Sequence, residues 1–414
     1  MFFDFINQGN IIMKATLKLS TLALAIASLS TISSVNAEEI DSVSAMLSNG
    51  KTDLSFRYRY EDVDQDGIDK TAGASTLKTR LSYQSAAYNG FGFKVEMDDV
   101  TVIGDANYNS VVNGNTEYPV VADPAGTDVN QALLSYTSED FSSALGRQRI
   151  NHSGQRFIGG VAWRQNEQTF DAVRFKLPGT GLFSADYAYI SKVNRIFGPE
   201  GSAAQSDTWD SDSHVFIANF IPAKGHTLSG FVYALDFDDA AANSSTTYGV
   251  EYKGKIGIAS LSASYATQSD NADNPVSYDA DYMAAEIGLN LAPVNVSLGY
   301  ELLGSDDGVA AFRTPLATLH KFQGWADKFL GTPANGIEDT YLKVGGKIGK
   351  AKLTVIYHQF DSDEGSMDYG SEIDAVVTYP VNKNLTAQLK YAAYNAEDFS
   401  VDTDKIWLTM NFKF

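Results

Sequence analysis

Ten arginines occur in the chain; nine of them fall between Arg57 and Arg195, and Arg313 stands alone afterwards. With nearby lysines they recur at a spacing of two: Arg57 and Arg59, Lys78 and Arg80, Arg147 and Arg149, Arg174 and Lys176, with Lys94 in the same region. That spacing puts both members of a pair on one face of an extended strand. Guanidinium groups stay charged at any relevant pH and bind carboxylates through paired donors, so such rows suit anions. Leu145 shares the parity of Arg147 and Arg149 and makes that pair the least clean. On later segments Glu251, Glu286, Glu301, Glu372 and Asp374 take inward positions, so the field would run across a lumen. Two readings stand side by side. The row is a wall selecting acidic solutes, as cationic rings do in anion pores, or a structural ladder balanced by Asp53, Glu61, Glu96 and Asp98.

Other constellations carry less. His152 and Ser153 are adjacent, but a nucleophile and its base must meet in space beside an orienting third group, and no surrounding motif supplies one. No enzymatic activity is expected. Asp62-Val63-Asp64-Gln65-Asp66-Gly67 opens like a calcium loop, yet the closing bidentate Glu would fall at Gly73. It reads as a solvated acidic loop, and neither metal nor cofactor is expected. The absence of cysteine removes disulfides, thiol catalysis and thiolate zinc sites. With 51 acidic against 31 basic residues, a formal charge of -20 argues against nucleic acid, which is held by many Lys and Arg contacts to phosphate.

The elements that must carry these side chains are strands. In Leu54-Ser55-Phe56-Arg57-Tyr58-Arg59-Tyr60 every even position is apolar or aromatic and every odd one polar or charged. The same alternation recurs through Ile406 to Phe414, giving each strand two unlike faces. Segmentation predicts about eighteen strands between residues 53 and 414. Short connections with turn chemistry, such as Tyr88-Asn89-Gly90 and Pro222-Ala223-Lys224-Gly225, alternate with long polar ones, including 102–127, 194–209 and 304–338. No stretch after residue 37 approaches about 18 consecutive apolar residues, so a helical membrane protein is excluded. Tight turns on one side, long loops on the other and aromatics near strand ends predict an all-β fold. It is a transmembrane antiparallel β-barrel with short periplasmic turns and long extracellular loops.

Lys14 and Lys18, the apolar stretch Leu19 to Leu29 and Val35-Asn36-Ala37 form an export signal over 1–37, with Met13 the expected initiator because 1–12 lacks a basic start. Residues 38–52 are then a short periplasmic segment. In the long loop 304–338, Thr314, Pro315 and Gly331 predict a short helix with Phe322, Trp325 and Phe329 on one stripe. That loop either folds inward as a constriction or covers the mouth, with Arg313, His320, Trp325 and Lys328 as candidates, or it packs against the outer rim.

Leu145-Gly146-Arg147-Gln148-Arg149-Ile150, Gln155-Arg156-Phe157-Ile158-Gly159 and Trp163-Arg164-Gln165-Asn166-Glu167-Gln168-Thr169-Phe170-Asp171 resemble the alginate-export-type outer-membrane porin family. So does His320-Lys321-Phe322-Gln323-Gly324-Trp325-Ala326-Asp327-Lys328-Phe329. The resemblance implies an eighteen-stranded barrel and, in the founding member, a basic lumen passing a polyuronate. Arg147 and Arg149 match the family's Gly-Arg-x-Arg pattern. The expected function is passive diffusion of small hydrophilic solutes, with acidic oligosaccharides favoured. The alternatives are a non-selective porin, a barrel enzyme or an adhesive barrel. Expected partners are outer-membrane lipid and lipopolysaccharide, and the barrel-assembly machinery, whose terminal signal Phe414 resembles.

Overall fold

A computed structural model describes residues 41–414 apart from Pro178 and Thr180, so the expected export signal lies outside the described residues. Residues 41–51 and 85–89 form a small separate unit. In it Val43–Ser48 makes a six-residue helix whose first turn is closed by the Ser42 hydroxyl accepting from the Ala45 amide at 3.2 Å.

The remainder is a barrel. Its strands are β1 (Lys51–Gln65), β2 (Ala72–Gln84), β3 (Phe91–Val102), β4 (Gly126–Thr137), β5 (Ser142–Gln148), β6 (Thr169–Leu177), β7 (Phe183–Asn194), β8 (Thr208–Ala223), β9 (His226–Leu235), β10 (Ser245–Ile256), β11 (Ala259–Asp270), β12 (Asp279–Asn290) and β13 (Val294–Leu303). After a two-residue hairpin, β14 (Ser305–Asp306) and β15 (Ala310–Ala311), come β16 (Ile337–Ile348), β17 (Ala351–Asp361), β18 (Asp368–Pro380), β19 (Leu385–Asn395) and β20 (Thr403–Lys413). All but the small hairpin pair antiparallel in one 18-stranded sheet. The sheet closes where β1 meets β20, from Ser55 opposite Lys413 to Gln65 opposite Thr403. Closure is obligatory in hydrocarbon, because an open edge would leave amides with no partner.

Turns 224–225, 257–258 and 349–350 lie on the side of both strand termini, and loops 103–125, 149–168, 195–207 and 304–336 on the other. Burial is inside out relative to a soluble sheet. On β20 Ile406, Leu408 and Met410 are exposed to lipid, whereas Lys405, Trp407 and Thr409 are buried in the interior. Outward tyrosines near the long-loop side donate to carboxylates one row higher: Tyr60 to Asp62 at 3.3 Å, Tyr265 to Asp281 at 3.0 Å and Tyr391 to Asp404 at 2.7 Å. An apolar ring with a polar tip suits the boundary between acyl chain and headgroup.

The apolar core sits inside the barrel, where the two longest-reaching loops pack on the wall. Ile150 and Ile158 of loop 149–168 and Phe312, Leu316 and Phe329 of loop 304–336 join Phe231, Tyr233, Phe360 and Trp407 in one buried cluster. The expected helix near 313–331 is corrected. Only a single 3₁₀ turn forms, at Leu319–Lys321. Gln323, Gly324 and Asp327 take positive φ, which breaks a right-handed helix, and the amides of Trp325 and Ala326 donate to Glu372 rather than to a preceding turn.

Candidate functional site

The constriction is built from loop 149–168 and loop 304–336, which meet inside the lumen. Gly159 N donates to Leu316 O at 2.8 Å, and Thr318 N to Gln155 O at 3.0 Å. The Gln168 amide bridges Gly159 O at 2.8 Å and Leu316 O at 3.1 Å. Loop 304–336 is therefore an inward constriction and not a rim cover. His320 is buried on the face of Trp163, with ring centroids 4.2 Å apart and planes 9° from parallel. Its Nδ1 lies 2.6 Å from Asp327 and its Nε2 2.5 Å from Lys390. Burial holds His320 well below its ordinary value, so the neutral ring donates from Nδ1 to Asp327 and accepts at Nε2 from Lys390 Nζ. Trp325 lies under the same Lys390 side chain, 3.6 Å from ring centroid to Nζ. Lys328 donates to Thr403 at 2.7 Å, and Arg313 to the Ala242 carbonyl at 2.9 Å.

The sequence-predicted basic wall is present but densely paired. Arg80 grips Asp98 through two bonds at 2.6 and 2.5 Å and lies 2.8 Å from Glu167. Lys78 stands 3.7 Å from Glu167, and Lys94 3.4 Å from Glu96. Arg149 joins Glu96 to Glu167. Arg174 binds Asp186 at 2.8 and 2.5 Å, with Lys176 at 3.9 Å from the same carboxylate. Burial works against the Glu167 charge, but Lys78, Arg80 and Arg149 outweigh it and hold this loop carboxyl well below the usual range. Arg59 donates to Trp163 O at 2.7 Å, stacks on that indole at 4.1 Å and lies 3.9 Å from Asp123. Arg57 donates to the carbonyls of Ala162, Trp163 and Arg164 at 3.0 to 3.4 Å, with no carboxylate at ion-pair distance among the described residues.

Arg147 is corrected. It lies opposite Ala132 and Asp171, two positions from Leu145, which is opposite Leu134 on the lipid side, and its guanidinium binds Asp171 at 2.9 Å. The physical reason is that β5 stops at Gln148, so strand parity carries Arg147 outward, whereas Arg149 leaves the strand and turns into the lumen. His152 and Ser153 do not form a dyad. His152 Nδ1 pairs with the Tyr233 hydroxyl at 3.2 Å, and Ser153 bonds Glu251 and, at 2.8 Å, Lys253.

Sequence reasoning missed the residues that fasten the loops. Arg164 donates to Glu61 at 3.0 Å and Asp327 at 3.0 Å, with Asp123 at 3.8 Å. Burial disfavours its charge, but those three carboxylates outweigh burial and hold it above its ordinary value. Arg156 donates to Glu301 at 2.6 Å, Thr314 at 2.8 Å and Gln323 at 3.2 Å. The available signal was compositional: three arginines and a glutamate, Arg149, Arg156, Arg164 and Glu167, in a connection too polar for a core and too short for a domain.

Three cavities flank this assembly. One of about 270 Å³ opens toward the long loops and includes Arg313, Arg156 and Gln323. A second of about 260 Å³ lies below, sharing Arg156 and Gln323 and adding Lys321 and Trp325. A third of about 250 Å³ sits by the strand termini and includes Arg57 and Asn411. Among the described residues no three His, Asp or Glu side chains gather at metal-binding spacing.

This architecture has known counterparts. OccAB4 of Acinetobacter baumannii aligns over 88% of this chain and 98% of its own, at 14% identity and a TM-score of 0.68. OccK8 (OprE) of Pseudomonas aeruginosa aligns over 89% and 99%, at 14% identity and a TM-score of 0.67. OpdK of Pseudomonas aeruginosa, in a crystal structure with vanillate, gives the same coverage, 14% identity and a TM-score of 0.67. No curated protein sequence matches the chain. A family model described as alginate export matches residues 50–302, more than half of the sequence. With its closed antiparallel barrel and apolar outer face, the chain belongs to the alginate export family.

Proposed function

We propose that this channel passes small hydrophilic anions by passive diffusion, acidic saccharides foremost. One observation carries the reading: each of the three cavities includes a cation with no carboxylate at ion-pair distance among the described residues, Arg313 above, Lys321 in the middle and Arg57 below. Cations placed in succession lower the cost of moving an anion through a narrow pore. The OpdK structure, of the same fold, was obtained with vanillate, a small carboxylate, which is in keeping with the proposal. The dense pairing of the Arg-rich wall favours a second reading, a weakly selective general porin. Reversal potentials of the purified channel in planar bilayers separate the two. Anion preference, with current block by added uronates, supports the proposal, and cation preference without block refutes it. We further propose that residues 1–37 direct export. Phe414, exposed at the end of β20 with its ring 4.6 Å from that of Phe412, is the group proposed to be read by assembly machinery.

A further inference from the structure

The middle cavity differs from its surroundings in how its charges are satisfied. Three lysines reach it. Lys253 lies 2.8 Å from Glu251, and Lys343 lies 2.6 Å from Glu286. Lys321, partly open on the inner loop, donates to the Gly154 carbonyl at 2.8 Å, stands 5.6 Å from the Phe322 ring centroid and has no carboxylate at ion-pair distance among the described residues. That one bond leaves the other ammonium hydrogens to whatever fills the cavity, because an ammonium has three donors. Burial, with Lys253 and Lys343 close by, outweighs the opposing pull of Glu251 and holds Lys321 below the ordinary lysine value.

We propose that this cavity is a binding site for a single hydroxylated ring carrying one carboxylate, a monosaccharide-sized uronate, with Lys321 as its anion-binding residue. The inference rests on the reading that anions traverse the channel. Four features converge. Lys321 supplies the missing partner for one carboxylate. Glu251 and Glu286, held by their own lysines yet partly open to the cavity, offer acceptor oxygens to ring hydroxyls, as the Ser262 hydroxyl also can. Phe322 and Trp325, from the same loop as Lys321, line the cavity; one face of each is covered, by Arg156 at 4.7 Å and Lys390 at 3.6 Å, and the rest of each ring offers apolar surface to the C–H side of a sugar. The volume of about 260 Å³ lies just under the roughly 300–1,000 Å³ of pockets for drug-sized ligands, so it takes one ring and not an extended chain.

The ceiling of the cavity sets the same size limit. Arg156 and Gln323 line both this cavity and the one above, and they are tied to each other, to Glu301 and to Thr314. Tyr282 adds a hydroxyl bond to Glu301 at 2.7 Å. A polymer lying across that partition would have to break several bonds at once, whereas a single ring occupies either side without doing so. A neutral hexose would leave Lys321 unmet, and an aromatic carboxylate would leave the acceptors of Glu251 and Glu286 unused.

Current block in planar bilayers tests this with glucuronate, glucose, benzoate and a trimeric uronate as probes, on wild-type, Lys321→Gln and Lys321→Arg channels. Glucuronate is expected to block at a concentration at least about tenfold below that of glucose or benzoate, and below that of the trimer. Lys321→Gln is expected to raise its blocking concentration about tenfold, with Lys321→Arg restoring most of the effect. An unchanged glucuronate block in Lys321→Gln, or a trimer or benzoate that blocks as well as glucuronate, overturns the site. If the wild-type channel shows anion preference and the variant leaves block unchanged, only this inference fails. If the wild-type channel prefers cations, the functional reading beneath it fails as well.

Discussion

The two halves of the lumen wall use charge in opposite ways. On β1 to β7 cations are numerous and nearly all matched: Arg80 by Asp98 and Glu167, Arg149 by Glu96 and Glu167, Arg174 by Asp186. On β10 to β17 they are few, yet the cavity there holds Lys321, which has no carboxylate at ion-pair distance among the described residues. Counting positive residues would assign selectivity to the first half. Pairing reverses that assignment, because a cation saturated by a bidentate carboxylate presents little net field to a passing solute, whereas an unmatched one presents its full charge. The crowded half instead works as scaffolding: its side chains anchor loop 149–168, and that loop anchors loop 304–336.

Breaking the scaffold should have the largest consequences. Arg164→Ala leaves Glu61, Asp123 and Asp327 facing one another without their shared cation, and removing one member of a buried ionic network costs about 3–5 kcal/mol. A clearly lower denaturant midpoint for the barrel is expected, and a midpoint equal to wild type would show that the loops are held elsewhere. Gly324→Ala comes next. Gly324 sits at φ +78, where a side chain is strained, and its Cβ would press on the Glu372 carboxylate that anchors Trp325 and Ala326. Strain of this kind costs about 1–3 kcal/mol, read as a smaller midpoint shift with noisier open-channel current.

A change of pH gives the smallest effect. Burial lowers Lys328, in loop 304–336, from its ordinary value of 10.5 to about 8. Below about 8 it is charged in both folded and unfolded chains. Between about 8 and 10.5 the unfolded chain binds more protons, so this group makes stability rise slightly with pH across that window. Over the same range the lumen loses a positive charge, and anion preference should fall. Titrating reversal potential in wild type and Lys328→Gln checks this, since the variant should lack that step.

Much of the barrel could be read from alternation alone. Parity on β1 and β2 put Arg59, Lys78 and Arg80 inside, and applied to β19 and β20 it would also have placed Lys390 and Lys405 there, opposite in face to Leu389 and Ile406. It misled at Arg147, because a spacing of two says nothing about where a strand stops. The loops were least readable. A period exists only where a repeating backbone imposes one, and Arg156, Arg164 and Lys321 sit on irregular chain. The helix expected near Pro315 met every local criterion and still lost, since Glu372 across the lumen captured the amides that a helix would have used.

The most direct test sets matched against unmatched charge. Reversal potential in a salt gradient would be recorded for Lys321→Gln and for the charge-conserving double variant Arg174→Gln with Asp186→Asn. The first is expected to move toward cations while the second stays at the wild-type value. A shift in the double variant with none in Lys321→Gln would contradict the account and return selectivity to the arginine-rich half.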